Sequence, residues 1–360
     1  MLTPSSSFCR TKQSGFTIVE IMVGLAIGML ASIVIMQVFT QFETQKRTST
    51  GTSDAQTNGS IALFTLSRDL QQAGYPLITY SNSPLKCTTL KDEGVDANIN
   101  RLAPVTIVDG IAAVGINASD SITLRYGTST MGGIPANITA IASPTPNDVT
   151  VANHFGCLVG DKVLITNVTA CALTTVDATS AVATPPATIT LRNMSVVATG
   201  STLACLGTWN EITYALNNGN LERNGVPIVV GIVNLQAQYG ISAAGLVNTD
   251  PNFNQITQWV NASGSWATPS VTDRNRIKAV RIALIARNSK IESSAVSSAC
   301  SSINSASPTG VCAWEGNLTS PAPSVDLSNG NALPDWAQYR YRVFEIIVPL
   351  RNVIWSKDSL

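Results

Sequence analysis

Two sets of residues in this sequence have the types and positions to do chemistry: one glutamate inside an apolar run, and the cysteines. Residues 16–39 read FTIVEIMVGLAIGMLASIVIMQVF, and Glu20 carries the only charge among them. A carboxylate in such a segment costs several kcal/mol unless it is neutralised. No basic residue lies nearby on the apolar side. A cut after Gly15 would leave a free α-amine on Phe16, four residues before Glu20. In a helical assembly the amine of one subunit could meet the glutamate of its neighbour. That pair would neutralise both charges in an apolar filament core and set the axial register. Buried pairs of this kind supply specificity more than net stability.

The cysteines number seven: Cys9, Cys87, Cys157, Cys171, Cys205, Cys300 and Cys312. Cys9 precedes the apolar run and leaves with any leader cut at Gly15. The six that remain suit disulfides in an oxidising compartment. Their spacings form no CxxC, so zinc is not expected. Six cysteines allow about 15 pairings. Locality suggests two short loops, Cys157–Cys171 and Cys300–Cys312, with Cys87–Cys205 as the long-range bond.

Little else points to catalysis. His154 is the one histidine and has no neighbouring metal-spaced cluster. No nucleophile elbow, P-loop or dinucleotide fingerprint is present. Asp250-x-Asn252-x-Asn254 resembles the start of a calcium loop, but Gln255 stands where that loop needs glycine and Asn261 where it needs an acid. Asp92-Glu93 reads as solvated loop charge. Lys+Arg and Asp+Glu both total 22, which argues against a basic nucleic-acid surface. The expectation is a protein with no catalytic residue, no metal, no cofactor and no direct nucleic-acid binding. Charged residues make up 12% of the chain, a level that fits an extracytoplasmic β-rich protein better than a cytosolic enzyme.

The elements that must position Glu20 follow in order. Residues 1–15 (MLTPSSSFCRTKQSG) carry Arg10 and Lys12 and no acid, as a short cytoplasmic leader would. At about 1.5 Å per residue, residues 16–39 are long enough to span a bilayer as a helix. An ordinary signal peptide would have a shorter apolar core ending in a small-x-small site and polar chain. A plain signal anchor explains the length but not Glu20. Gly24 and Gly28 form a GxxxG, a spacing that lets helices approach closely, although glycine is common in membrane helices in any case. Residues 40–75 continue the helix. Within them 44–60 are polar, with Gly51 and Gly59, and are expected to be partly melted. Leu63, Leu66, Leu70 and Ala73 then recur at amphipathic spacing up to Gly74-Tyr75-Pro76.

From residue 76 to residue 360 the pattern is a β-rich head. Alternating, β-branched runs occur at 120–127, 161–168, 187–194, 210–216, 229–241, 276–287 and 339–350. The run at 276–287 reads as strand rather than helix. Asn218-Gly219 is a hairpin signal. Segments 127–147, 172–188 and 289–335 are rich in small and polar residues and read as long loops. The fold class is α+β: a long N-terminal helix, transmembrane in its first half, packed by its second half on a β-rich head with long loops.

Lys12, then Gly15-Phe16-Thr17-Ile18-Val19-Glu20, then the apolar run resemble the type IV prepilin signature. The resemblance implies that a prepilin peptidase cuts after Gly15 and methylates Phe16. LFTLSRDLQQAGYP (63–76) resembles the helix end of the PilW family of minor pilins, commonly R-D-L-x-Q-A-G-Y. Residues 212–241 are similar to that family's strand, L-x-R hairpin and G-V-x-x-L-x-x-x-Y-G block. Ala279–Leu284, and Tyr341–Phe344 through Leu350-Arg351-Asn352, resemble its two C-terminal blocks. The loops show no such likeness. The family implies a pilin-like fold and partners comprising prepilin peptidase, other minor pilins, the major pilin and a large tip adhesin. It implies a chain held in the inner membrane with its head in the periplasm, later at the pilus tip on the cell surface. There it would help prime pilus assembly for twitching motility, adhesion and DNA uptake. Two alternatives stand beside this. A type II secretion minor pseudopilin of the J kind shares the Arg-Asp-Leu segment but lacks the Ala-Gly-Tyr continuation. A membrane-anchored adhesin that never polymerises would have no need of Glu20.

Overall fold

A computed structural model describes residues 15–77, 86–110, 119–141, 147–183, 186–247, 249–300, 310–314, 325, 327–328 and 333–355. Arg10 and Lys12 of the expected leader lie outside them. So do parts of the three expected loops. The chain has two units, Met1–Gly51 and Thr52–Leu360.

Helix α1 runs without a break over Ile18–Gln72. Thr17 caps its start, no proline interrupts it, and Gly74 leaves it at a φ of 83°. The expected melting of residues 44–60 does not occur. Thr52–Gln72 belongs to the head, and its Ala62, Leu66 and Leu70, with Ala73 just beyond the helix, are fully buried in the main core. Gly59, expected to weaken the helix, lies beneath the Phe344 ring, where any Cβ would overlap ring atoms. Tertiary packing here outweighs the weak intrinsic helix preference of the segment.

The head opens with a hairpin of β1 (Thr89–Asp92) and β2 (Val95–Ala97), followed by β3 (Val105–Val108) and β4 (Ser121–Tyr126). The chain then forms β5 (Pro135–Ile141), β6 (Asp148–Val151), β7 (Lys162–Asn167), β8 (Ala170–Thr179), β9 (Ala187–Leu191) and β10 (Thr202–Gly207). Two of the expected loops therefore contain strand: β5 lies in 127–147, and β8 occupies 172–179. Both have short alternating threonine and alanine runs, a composition that masks a strand whose partners come from elsewhere in the chain. In order, β8-β7-β10-β5-β6-β9 are hydrogen-bonded neighbours, and β8 also pairs β9, so the sheet closes into a barrel. The barrel encloses its own core, including Ile138, Val151, Ile165, Ile189 and Leu203.

Strands β11 (Asn210–Asn217), β12 (Asn220–Arg223) and β13 (Val226–Val230) return to β4, giving an antiparallel sheet of order β13-β12-β11-β4-β3. Asn218 and Gly219 both take positive φ, 50° and 74°, the geometry of a type I′ turn. Tyr126 pairs with Asn210. The barrel is thus an insertion between two residues that face each other across one ladder. A second antiparallel sheet follows: β14 (Ile232–Ile241), β15 (Gln258–Val260), β16 (Ile277–Ile291) and β17 (Tyr339–Pro349), ordered β15-β14-β16-β17. The run at 276–287 is strand, preceded by the short α2 (Val271–Arg276), and α3 (Arg351–Trp355) closes the described chain. Leu235, Ile282 and Leu284 face α1 in the main core, whereas Ala283, Ile285, Trp314 and Leu327 form a separate cluster on the other face.

The disulfides correct two expected pairings. Cys87 bonds Cys171, Cys157 bonds Cys205, and Cys300 bonds Cys312. Strand pairing decides the first two. β1 runs parallel to β8 with Leu90 opposite Cys171, which brings Cys87 alongside. β10 lies antiparallel to β7 with Cys205 opposite Val163, within reach of Cys157 in the loop before β7.

Candidate assembly site

Thr17 and Glu20 form a reciprocal cap at the start of α1. The Thr17 backbone N–H and hydroxyl each donate to Glu20 Oε2 at 3.1 Å, and the Glu20 N–H donates to Thr17 Oγ1 at 3.3 Å. Thr-x-x-Glu is the capping-box pattern, in which N-cap and third helical residue satisfy each other's free donors. The carboxylate also lies at the positive end of the helix dipole. No basic residue lies near Glu20 on the apolar side of the sequence, and the structure adds a neutral hydrogen-bonding partner in Thr17.

Beyond Glu20 the large apolar side chains of this segment, from Ile21 to Phe42, are exposed in the single chain. A Cβ at Gly24 or Gly28 would meet nothing within 4 Å. The polar side chains within the run satisfy themselves: Ser32 donates to the Gly28 carbonyl at 2.8 Å and Thr40 to the Met36 carbonyl at 2.8 Å. Such back-bonding suits a helix in hydrocarbon, where an unmet hydroxyl is costly. α1 is long and apolar enough to cross a membrane.

At the other end of α1, residues far apart in sequence converge. Asp69 Oδ2 accepts from the Tyr214 hydroxyl at 2.7 Å and from Arg223 Nε at 3.0 Å. Burial, together with the Asp69 carboxylate, pushes the Tyr214 phenol well above its ordinary range. The Asn352 amide donates to the Gln72 and Ala73 carbonyls at 3.3 and 3.0 Å, closing the helix end from α3. The Gly74 N–H donates to the Arg125 carbonyl and the Gly127 N–H to the Tyr75 carbonyl, tying this end to β4.

A second network holds the barrel to the head. Glu93 accepts from Lys162 Nζ at 2.7 Å, from Thr175 Oγ1 at 2.6 Å and from Thr174 Oγ1 at 3.1 Å. Burial raises its pKa, but these donors and the Lys162 charge outweigh burial and leave it lowered. Asp92 pairs with Arg101 and with Lys162, and Glu211 joins Arg101 to the buried Arg125. Asp92-Glu93 is therefore an interlock between the β1–β2 hairpin and the barrel, not solvated loop charge. Asp120 is a further group the sequence did not flag. It accepts from the Gly110 N–H at 2.9 Å and the Ala237 N–H at 2.6 Å. Burial pushes its carboxyl up to about 7.

His154 lies 3.1 Å from the Ser180 carbonyl and 3.2 Å from the Ser180 hydroxyl, a structural tie between two barrel loops. Among the described residues no group of three or more His, Cys, Asp or Glu is placed to hold a metal.

An apolar helix that opens on a Thr-x-x-Glu cap and ends within an α+β head defines a pilin-like subunit. The family model of type IV pilus-assembly protein W matches residues 197–352, and that of the prokaryotic N-terminal methylation motif matches residues 10–36. Together the two matches support a PilW-family type IV pilin, and that family is a structural component of pilus assembly. Membership in a pilus assembled from prepilins carries with it contact with other pilins and with prepilin peptidase. Strands β5 to β9 lie outside both matched stretches. No curated protein and no solved structure matches the chain.

Proposed function

We propose that this protein is a low-abundance minor pilin that joins other minor pilins, and a large tip adhesin, in the complex that primes pilus growth. It acts through contacts and not through catalysis. In this reading prepilin peptidase cuts after Gly15, Phe16 is methylated, and the chain waits in the inner membrane with its head in the periplasm. Glu20 then exchanges its Thr17 cap for the Phe16 amine of a neighbouring subunit, while Gly24 and Gly28 admit close helix approach. The pilus so started supports twitching motility, adhesion and DNA uptake.

The observation that carries this reading is the pairing of a methylation-motif helix with a PilW-matched head that is enlarged by a barrel joined to it through the β1–β8 pairing. A bulky head is easier to accommodate at a tip than along every turn of a thin fibre. Two measurements test it. Mass spectrometry of the mature N-terminus should find N-methylated Phe16. Full-length protein purified in detergent should carry other minor pilins with it. A retained leader, or recovery with secretion pseudopilins in place of pilus components, overturns it.

A further inference from the structure

Sheet edges expose unpaired backbone groups, and folded proteins usually shorten, bulge or cover them. Among the described residues this head deals with most of its edges in those ways. β2 and β15 have three residues each and β3 has four. β13 carries Pro227, and its ladder with β12 shifts register at Leu221/Glu222. The open side of β14 is covered by Ser119 and Asp120, which bond Leu235 and Ala237. The barrel strands close on one another.

β17 is different. It is 11 residues long and lies at the end of its sheet. Its register with β16 is unbroken from Tyr341 to Pro349. The Leu350 N–H donates inward to the Lys278 carbonyl at 2.9 Å. Strand alternation then turns the backbone groups of Phe344, Ile346 and Val348 inward as well. Those of Tyr341, Val343, Glu345 and Ile347 point away from the sheet. Proline stands at the next outward position, 349, where no N–H is needed. The side chains of the outward residues share the face opposite α1. Val343 is 37% exposed and Ile347 51% exposed, with Glu345 between them. Among the described residues Glu345 makes no direct salt bridge, and the Arg281 guanidinium acts on it only through space.

We infer that the outer edge of β17 is a docking strand for an extended segment of a partner protein, one bearing β-branched apolar residues on either side of a lysine or arginine. Such a segment adds a strand to the sheet. Its backbone satisfies the outward groups of residues 341–347, its apolar residues cover Val343 and Ile347, and its cation meets Glu345. Charge argues against a second copy as occupant. Full antiparallel overlap of two β17 strands sets Glu345 against Val343 and brings neither carboxylate a cation beyond the Arg281 of its own chain. The docking edge is a property of the head alone and stands apart from the cleavage and Glu20 readings.

The test uses full-length protein in detergent and three synthetic peptides: acetyl-TVTKTVT-amide, the same peptide with glutamate for lysine, and the lysine peptide N-methylated along one edge. Hydrogen exchange is followed at single amides. The lysine peptide should slow exchange at Val343, Glu345 and Ile347 at least tenfold, and the other two should not. Ile347→Pro removes an outward N–H without touching the β16 ladder and should abolish the effect. Glu345→Lys should reverse the preference between lysine and glutamate peptides, and it carries the test if the proline variant fails to fold. Absence of slowing at millimolar lysine peptide, or equal slowing by the lysine and glutamate peptides, overturns the inference.

Discussion

Arg223 donates its Nε to Asp69 Oδ2 at 3.0 Å, joining the Arg-Asp-Leu end of α1 to the Leu-Glu-Arg hairpin 154 residues away. The same oxygen accepts from Tyr214, whose side chain is fully buried. Asp69 is thus the anchor through which the helix holds β11 and β12. Asp69→Ala should strand the Tyr214 hydroxyl and cost about 1–3 kcal/mol, the penalty of a buried polar group without a partner. Arg223 is 37% exposed, so Arg223→Ala should cost less, about 0.2–1 kcal/mol. Urea unfolding of the full-length protein in detergent gives both. Equal losses in the two variants would show that Tyr214 finds another partner.

Gly59 and Phe344 make a second prediction that runs against helix propensity. In an exposed helix, Gly→Ala gains roughly 1 kcal/mol. Here the new methyl would overlap the Phe344 ring, and overpacking typically costs about 1–3 kcal/mol. Gly59→Ala should therefore be neutral to destabilising in urea unfolding. In a double-mutant cycle with Phe344→Leu the two changes should be clearly non-additive. A simple gain in stability, unchanged by the second substitution, would show that the ring moves aside freely.

Asp120 gives a pH dependence. Its carboxyl is pushed up to about 7 in the folded head, against an ordinary value of 3.8. The folded state therefore holds a proton that the unfolded chain releases. The stability this group contributes is complete below about pH 4, and it is lost as pH rises through about 7. Between about pH 5 and pH 8 wild type should lose on the order of 2 kcal/mol relative to Asp120→Asn, whose amide does not titrate. The comparison is one of slopes, because the substitution also disturbs a backbone hydrogen bond. Parallel curves for the two proteins would mean that Asp120 is ionised throughout.

These relationships also mark how far the sequence could be read. α1 was legible because the apolar run and the Leu63–Ala73 spacing are long and periodic. Strands β4, β7, β9, β11, β14, β16 and β17 were legible from alternation. The closure of β7 and β9 into a barrel with β5, β6, β8 and β10 was not. β5 and β8 are rich in alanine and threonine, so their hydrophobic signal is weak, and a closed ring of strands depends on pairings that local pattern does not encode. The same blindness misassigned Cys87 and Cys157, whose partners are set by β1–β8 and β7–β10 register. At the candidate site, Glu20 was conspicuous because a charge in an apolar run is costly. Asp69, Arg223 and Asn352 were visible only as separate motif blocks, and it took the fold to bring them to one helix end.

The interlock around the barrel gives a fourth prediction. Cys87–Cys171 spans 84 residues of sequence and joins the segment just before β1 to β8. Glu93 and Lys162 brace the same junction. Replacing both cysteines by alanine should lower stability by about 2–4 kcal/mol. It should also open the β1–β2 hairpin and its junction with β8 to proteolysis before the rest of the head. Glu93→Gln keeps a hydrogen-bonding side chain but loses the charge and should act in the same direction, more weakly. If limited proteolysis cuts the main sheet first in the cysteine variant, the disulfide is bracing the whole head and not the barrel junction.

The last prediction separates two roles that Glu20 holds at once. In the single chain its carboxylate completes the Thr17 cap. In the proposed assembly it meets the Phe16 amine of a neighbour. Glu20→Ala removes both, at a capping cost of roughly 0.5–2 kcal/mol, so failure of that variant to assemble is ambiguous. Glu20→Gln separates them, because glutamine also completes a capping box but carries no charge. Glu20→Gln should insert, keep its helix start and be processed to the same mass as wild type, yet recover at least tenfold less of the other pilins on purification from detergent. Thr17→Ala should show the converse: a frayed helix start with assembly retained, since the carboxylate is then freer to find the amine. If Glu20→Gln recovers its partners as wild type does, the cap is what the residue is for, and register in the filament must be set by another contact.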